Sequence, residues 1–506
     1  MGWFISCGFV LVLLYSVSVW YQYRCRRQID LPAIGYEGLW SSYWTAFRCV
    51  RHAKSLFNEG YLRVNKNGLF KIPLWDRWFV VAAGDKYLSD IKAASDTVLS
   101  MMDGAMELLK GEYTLGPQFI SNQYHLAIFR TMLSKDLNTL LPELLDEVFH
   151  ATLELFPEQG HEWNLVCVHD ALRALSVRVS SRILVGLPLC RNKEYHRTNV
   201  QFAHSVMFGA SLISFFPRPL QSIVGKLYHR FSTTRHRNNI LKHVSKAIED
   251  RRLELEQLEP NESKPNELIS WLLDLAPPGL ERETASIAFR ILLTNFSANH
   301  ATSGALISAV YCLAAEPRYI KELRDEIESI LGSGIEYDTW NLKAIDRCEK
   351  LDSFLKESIR LHGVGAFSVL RKALTHFRFS DGTVLPPGTI ISACGTNIHL
   401  DEDNYPDAHT FDGLRFYKLR QQEPSATRKH TLASGDDHFL AFGIGKSMCP
   451  GRFFASMVMK CNFINLILNY DFDLEEGTGE PVDEWLGPIS LPSSKAKILV
   501  RRRVPA

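Results

Sequence analysis

The chain opens on an unbroken apolar run. Gly2 to Tyr21 (GWFISCGFVLVLLYSVSVWY) carries no charge over twenty residues, enough for a helix to cross a hydrocarbon core of ~30 Å. Arg24, Arg26 and Arg27 follow at once, and Trp20 and Tyr21 stand where interfacial aromatics collect. A cleaved signal would place its basic residues before the apolar run and a small-x-small site after it. This run has the opposite flank and no such site. A chain terminus of this length and flanking is rarely a buried core helix. The pattern predicts one transmembrane helix over 1–22, a hinge over 23–45 and a single large domain over 46–506. The basic flank puts that domain on the cytoplasmic side.

Further along, the period of the apolar positions changes. Phe70 to Leu74 (FKIPL) and Trp78 to Ala83 (WFVVAA) are β-rich runs separated by turn-forming residues, a hairpin pattern. From about 85 to 320 the period is helical, as in 133–155, where apolar residues recur at three and four. Residues 284–315 are mostly apolar with few charges, which predicts a long buried helix. The polar stretch 255–266, with two prolines, predicts an exposed loop. After about 364 short strands and turns dominate, with Asp381-Gly382 and Pro386-Pro387-Gly388 as turn signals. Phe202 to Leu220 is rich in aromatics and reads either as an entrance dipping into a membrane or as a buried helix pair. The fold class is mainly α with small β-sheets, behind the N-terminal membrane helix.

Composition narrows the function. The 506 residues are 46% hydrophobic and 22% charged, ordinary for a globular domain with a sizeable core. A net charge of +1 and the lack of a basic tail point away from nucleic acid. Ten cysteines are scattered without a C-x-x-C pair, so free thiols in a reducing compartment are the expectation for nine of them.

The tenth is different. Phe442-Gly-Ile-Gly445-Lys-Ser-Met-Cys449-Pro-Gly451-Arg follows an acidic turn and leads into a helical run, Arg452 to Leu468. A metal-ligating sulfur must be deprotonated, aimed and steadied by N–H groups. Gly445 and Gly451 are expected to let the backbone turn tightly and approach a ligand. The following helix brings its positive end to the sulfur, and Pro450 suits its first turn. Phe442 is placed to shield the sulfur from water.

This segment resembles the haem-binding loop of the cytochrome P450 family, F-x-x-G-x-x-x-C-x-G, in which the cysteine is the axial ligand. Glu357-Ser-Ile-Arg360 is similar to the family's E-x-x-R. Phe411-Asp-Gly-Leu-Arg415-Phe416 is similar to the element whose arginine completes a buried Glu–Arg–Arg cluster. These three charged residues read as folding residues. The same spacing in Glu249-Asp-Arg-Arg252 reads as a solvated helix pair. Arg371 and Arg130 resemble the residues that hold haem propionates, for which a guanidinium can bind both oxygens. His125 is a further candidate on the Arg130 helix.

Two positions depart from the family pattern. In Phe296-Ser-Ala298-Asn-His300-Ala-Thr302-Ser, Ala301 falls where the oxygen-activating threonine usually stands, and His300 where the acid stands. Thr302 is one residue on, about 100° around a helix. His300 and Thr302 are the candidates for proton delivery. A substrate hydroxyl, or a His300 that is simply a core residue bonded to backbone, are the other readings. Ser447 stands where a basic residue usually reaches a propionate, with Lys446 beside it.

The resemblance covers about residues 30 to 500 and is closest to fungal members of secondary metabolism, many of which oxidise terpenoid skeletons. It implies a P450 fold and haem b (heme b) with Cys449 as iron ligand. It also implies O2, electrons from NADPH through NADPH–cytochrome P450 reductase, a hydrophobic small-molecule substrate, and an endoplasmic reticulum membrane location. Implied pocket walls are the long helix near Ala298 and Thr302 and the segment Val364 to Val369. Two other readings stay open: a haem enzyme that rearranges or dehydrates an oxygenated substrate, and a membrane-tethered helical binding protein without haem.

Overall fold

The structure is a computed structural model. It describes residues 29–503 apart from 118–121, 136, 157–161, 260–261, 263, 333–339, 364 and 424–428, together with six residues between 13 and 20. The segment read as a membrane anchor lies almost wholly outside the described residues. Among those described, no helix is long and apolar enough to cross a membrane.

The larger core is helical and centres on one long helix, Thr284–Ala315. Its apolar residues are not confined to one stripe, which is the pattern of a helix covered on most sides. It packs against His169–Val185, Thr234–Gln257, Glu349–His362 and Arg452–Asn469. The apolar period over 133–155 resolves into two helices, Tyr124–Lys135 and Leu137–Leu155. The polar stretch after Gln257 joins Thr234–Gln257 to Leu268–Leu275, as its prolines require.

The smaller core is built on a five-stranded sheet. Leu69–Pro73 pairs antiparallel with Trp78–Ala82, so the sequence hairpin is there. Trp78–Ala82 pairs parallel with Ile390–Ala393, which pairs antiparallel with Ser368–Ala373, and Leu99–Ser100 closes the edge. The first two strands and Ile390–Ala393 are buried at every position, which accounts for their continuous apolar runs. The described end of the stretch read as a hinge is docked on this sheet. Ile34 N donates to Lys71 O at 2.9 Å, Lys71 Nζ donates to Ile29 O at 2.8 Å, and a helix begins already at Ser41.

The helix Glu349–His362 ties the two cores to the loops that follow. Arg360 binds both carboxylate oxygens of Glu357, at 2.7 and 2.8 Å, and Arg415 Nε reaches the same carboxylate at 3.0 Å. The remaining guanidinium donors go to the carbonyls of His399, Ala408, Pro406 and Thr410. Removing one member of such a buried cluster leaves an uncompensated charge and costs about 3–5 kcal/mol. Glu249 and Arg252 pair at 3.2 Å on the surface, as their solvated reading requires. One turn below the cluster, Asp352 binds Arg420 and Lys460. Lys356, fully buried, donates to Thr431 O and Ser434 Oγ, both at 2.9 Å, with the Phe439 ring 4.0 Å away.

Candidate active site

The Cys449 loop hangs from that clasp through one histidine. His399 is fully buried; its Nε2 accepts from Leu440 N at 2.7 Å, so its Nδ1 carries the proton and donates to Arg360 O at 3.1 Å. Burial pushes its pKa down to about 3, so it is neutral and the tautomer is fixed. Leu440 is also held at its carbonyl, which accepts from Ser368 Oγ at 2.7 Å. No motif in the sequence singled out His399, because its role is set by contacts 39 and 41 residues away.

From Leu440 the backbone makes two left-handed turns, at Gly443 (φ 76°) and Gly445 (φ 65°), and Cys449 N donates back to Phe442 O at 2.8 Å. A side chain at either glycine would be strained. Gly451 behaves otherwise than its sequence reading. Its φ is −86°, an ordinary value, and a Cβ there would meet nothing within 4 Å. What it provides beside Cys449 is room, not a turn. Cys449 is solvent-accessible, yet crowded enough that burial raises its thiol pKa. The N–H groups of Gly451 and Arg452, and the Arg452 charge, pull the other way at the head of Arg452–Asn469. Phe442 is half-buried and packed on the helical core.

Arg371 is 3% exposed, and among the described residues its guanidinium hydrogen-bonds only to the carbonyls of Leu370 (2.8 Å) and Ile444 (3.5 Å). Among the described residues no carboxylate lies within salt-bridge distance of it, and burial lowers its pKa against the pull of Asp96. A buried guanidinium left this way is electrostatically incomplete. Arg130 is exposed and has no ion pair or hydrogen bond among the described residues. His125 is used elsewhere: buried, with Nδ1 on Arg290 at 2.8 Å and its pKa lowered to about 3. Ser447 donates to Asp96 at 2.9 Å, and Lys446 is exposed.

The long helix is buried on both sides of an open patch formed by Ser297, His300 and Ala301. At 3.6 residues per turn these fall on one face with Gly304, and Pro492 stands 3.8 Å from where a Gly304 side chain would begin. His300 is exposed and its ring makes no hydrogen bond among the described residues, so the core-histidine reading does not describe it. Burial within the recess lowers its pKa, and His204 and Arg173 nearby push the same way. Thr302 points away from this patch. It is 8% exposed and donates its hydroxyl to Ala298 O at 2.9 Å, so the hydroxyl is tied to the helix backbone rather than presented on the open face.

The proposed wall after Glu349–His362 is described from Gly365 on, since Val364 lies outside the described residues. The hairpin Glu484–Leu486/Ile489–Leu491 reaches it: Ala366 N donates to Pro488 O at 2.8 Å. That approach requires Gly365, where a Cβ would sit 2.4 Å from Pro488 O. The strand beyond is irregular between Ser368 and Arg371, and Val369 holds φ 56°, uncommon for a β-branched residue. Such bulges re-aim side chains near functional sites.

Residues 122–500 match the family model for Cytochrome P450. Cytochrome P450 monooxygenase 151 of Postia placenta is 36% identical over 98% of this chain and 97% of its own length. The ent-kaurene oxidase P450-4 of Gibberella fujikuroi is 28% identical over 98% of this chain and 95% of its own. The crystal structure of the cytochrome P450DA heme domain superposes with a TM-score of 0.69, covering 94% of this chain and 98% of that one, at 14% identity. The residues here fit the family's haem. They offer an accessible sulfur with room beside it, and a buried cation lacking the carboxylate that a propionate would supply. From the match over most of its length, the chain belongs to the cytochrome P450 family and is a P450 monooxygenase.

Proposed function

We propose that this chain is a membrane-anchored monooxygenase of secondary metabolism that oxidises a hydrophobic terpenoid, with haem b held by Cys449 and electrons delivered from NADPH by NADPH–cytochrome P450 reductase at the endoplasmic reticulum. The observation that carries the reading is the open patch on the long helix. Ala301 and Gly304 offer small apolar surfaces, Ser297 turns its hydroxyl to the Leu293 carbonyl, and His300 is the one imidazole of the patch, leaving room for a bulky skeleton with few polar groups to satisfy. The ent-kaurene oxidase relative supports the terpenoid class. The uncharged run Gly2 to Tyr21 and the exposed Phe208, Phe215, Ile223, Leu227 and Phe231 support membrane seating.

When bound, the haem supplies insertion of an oxygen atom from O2 into substrate. The chain's own residues set the conditions. Cys449 would bind the iron, with the Gly451 and Arg452 N–H groups steadying its sulfur. Arg371 and Arg130 would orient the propionates, and Phe442 would help shield the sulfur. His300, neutral in its recess, holds a proton at one ring nitrogen and accepts at the other, which suits passing protons to the open face. Co-expression with a reductase and a panel of terpene skeletons tests the reading. NADPH- and O2-dependent hydroxylated products are expected; products from non-terpenoid substrates alone would remove the terpenoid assignment.

A second reading rests on Ala301, which presents a methyl group where the family's threonine hydroxyl stands. The enzyme would then rearrange or dehydrate an already oxygenated substrate. Turnover without NADPH and O2 selects it.

A further inference from the structure

Away from the Cys449 loop, three potential metal ligands from distant parts of the chain converge. Cys312 lies near the end of the long helix, His362 ends Glu349–His362, and Glu480 precedes the hairpin at 484–491. Their ligand atoms all lie within 4.8 Å of one another, and His362 Nε2 stands 3.3 Å from Glu480 Oε1. That spacing is about the edge of a tetrahedron with metal–ligand bonds of about 2.0 Å. His362 Nε2 is shut off from solvent and, apart from its ion-pair approach to Glu480, makes no hydrogen bond among the described residues. The other nitrogen, Nδ1, faces Asp483 Oδ2 at 3.1 Å. A carboxylate on the far nitrogen is the arrangement that fixes tautomer and ring angle in a metal-bound histidine. Cys312 is buried beside Ser358 Oγ, while Glu480 is half-exposed at the solvent edge of the cluster. From this geometry we propose a zinc site formed by Cys312, His362 and Glu480, oriented by Asp483.

One thiolate, one imidazole and one carboxylate form a set of mixed softness that suits zinc over calcium or magnesium. Binding displaces to solvent the thiol proton of Cys312 and the Nε2 proton that Asp483 and Glu480 favour on His362, and changes no oxidation state. The metal would join the long helix to the base of the hairpin whose tip holds Ala366. It therefore fixes a wall of the substrate pocket from about 16 Å down the helix from Ala301.

The test uses the haem-loaded full chain, so that Cys449 is not available to the added metal. After equilibrium dialysis against zinc, about one zinc per chain is expected. Zinc-edge X-ray absorption should show one sulfur at about 2.3 Å among nitrogen and oxygen neighbours. Affinity should fall at least tenfold in His362→Gln and in Glu480→Gln, and Cys312→Ser should remove the sulfur signal. Glu480 lies at the accessible edge, so its variant carries the test even if the Cys312 variant does not fold. No retained zinc, a shell without sulfur, or parental affinity in the His362 and Glu480 variants would overturn the site.

Discussion

At the scale of single residues, the site separates into groups that hold a cofactor and groups that manage protons. Arg371 belongs to the first. With only carbonyl partners, it gains a counter-charge when a propionate arrives, so Arg371→Leu is expected to loosen haem rather than destabilise the chain. Haem retained after transfer to a competing apoprotein measures this, and retention equal to the parent would contradict it. His300 belongs to the second. His300→Ala is expected to raise oxygen consumption per product several-fold with little change in substrate affinity; unchanged coupling would exclude a proton role. The sequence made Cys449 and His300 visible because each sits in a motif of fixed spacing, and Arg371 through its resemblance to the family's propionate-holding position. The 100° that separates Thr302 from Ala301 was legible in the sequence; that its hydroxyl donates to the Ala298 carbonyl was not, because a residue's identity does not say which acceptor its hydroxyl finds. Gly451 was read as a turn because the identity of a glycine does not reveal whether its φ or its missing side chain is in use.

At the scale of elements, Glu349–His362 organises more than its motif advertises. Four of its charged side chains, Asp352, Lys356, Glu357 and Arg360, are buried, and together they bind segments between His399 and Lys460. Only Glu357 and Arg360 were legible beforehand. Lys356 looked like any helical lysine, since its partners Thr431 and Ser434 lie some 75 residues on. Burial lowers its pKa to about 7, below the ordinary value near 10.5. The unfolded chain therefore binds more protons than the folded one between those values, and stability from this group rises with pH across that window. It is lowest below about pH 7, where both states are charged. Lys356→Met should flatten that rise. Denaturant midpoints from pH 7 to 10 compare the two proteins, and parallel pH slopes would refute the assignment. His399 transmits the same helix to Leu440, which explains how a folding cluster and a ligand loop come to share one frame.

At the scale of the whole molecule, the order of motifs was legible and the assembly was not. The hairpin, the long helix and the helix after Cys449 were visible as local periods. The five-stranded sheet was not, because it joins residues 69–100 to residues 368–393, and such pairings leave no local pattern. The anchor is the opposite case, plain in hydropathy and outside the described residues. Everything assigned to the rest of the chain depends on one ligand. The most direct measurement is the spectrum of the reduced, CO-treated protein, parent against Cys449→Ala. The account predicts the long-wavelength Soret band of a thiolate-bound haem in the parent and its loss in the variant. A folded parent without that band, or a variant that keeps it, would contradict the assignment.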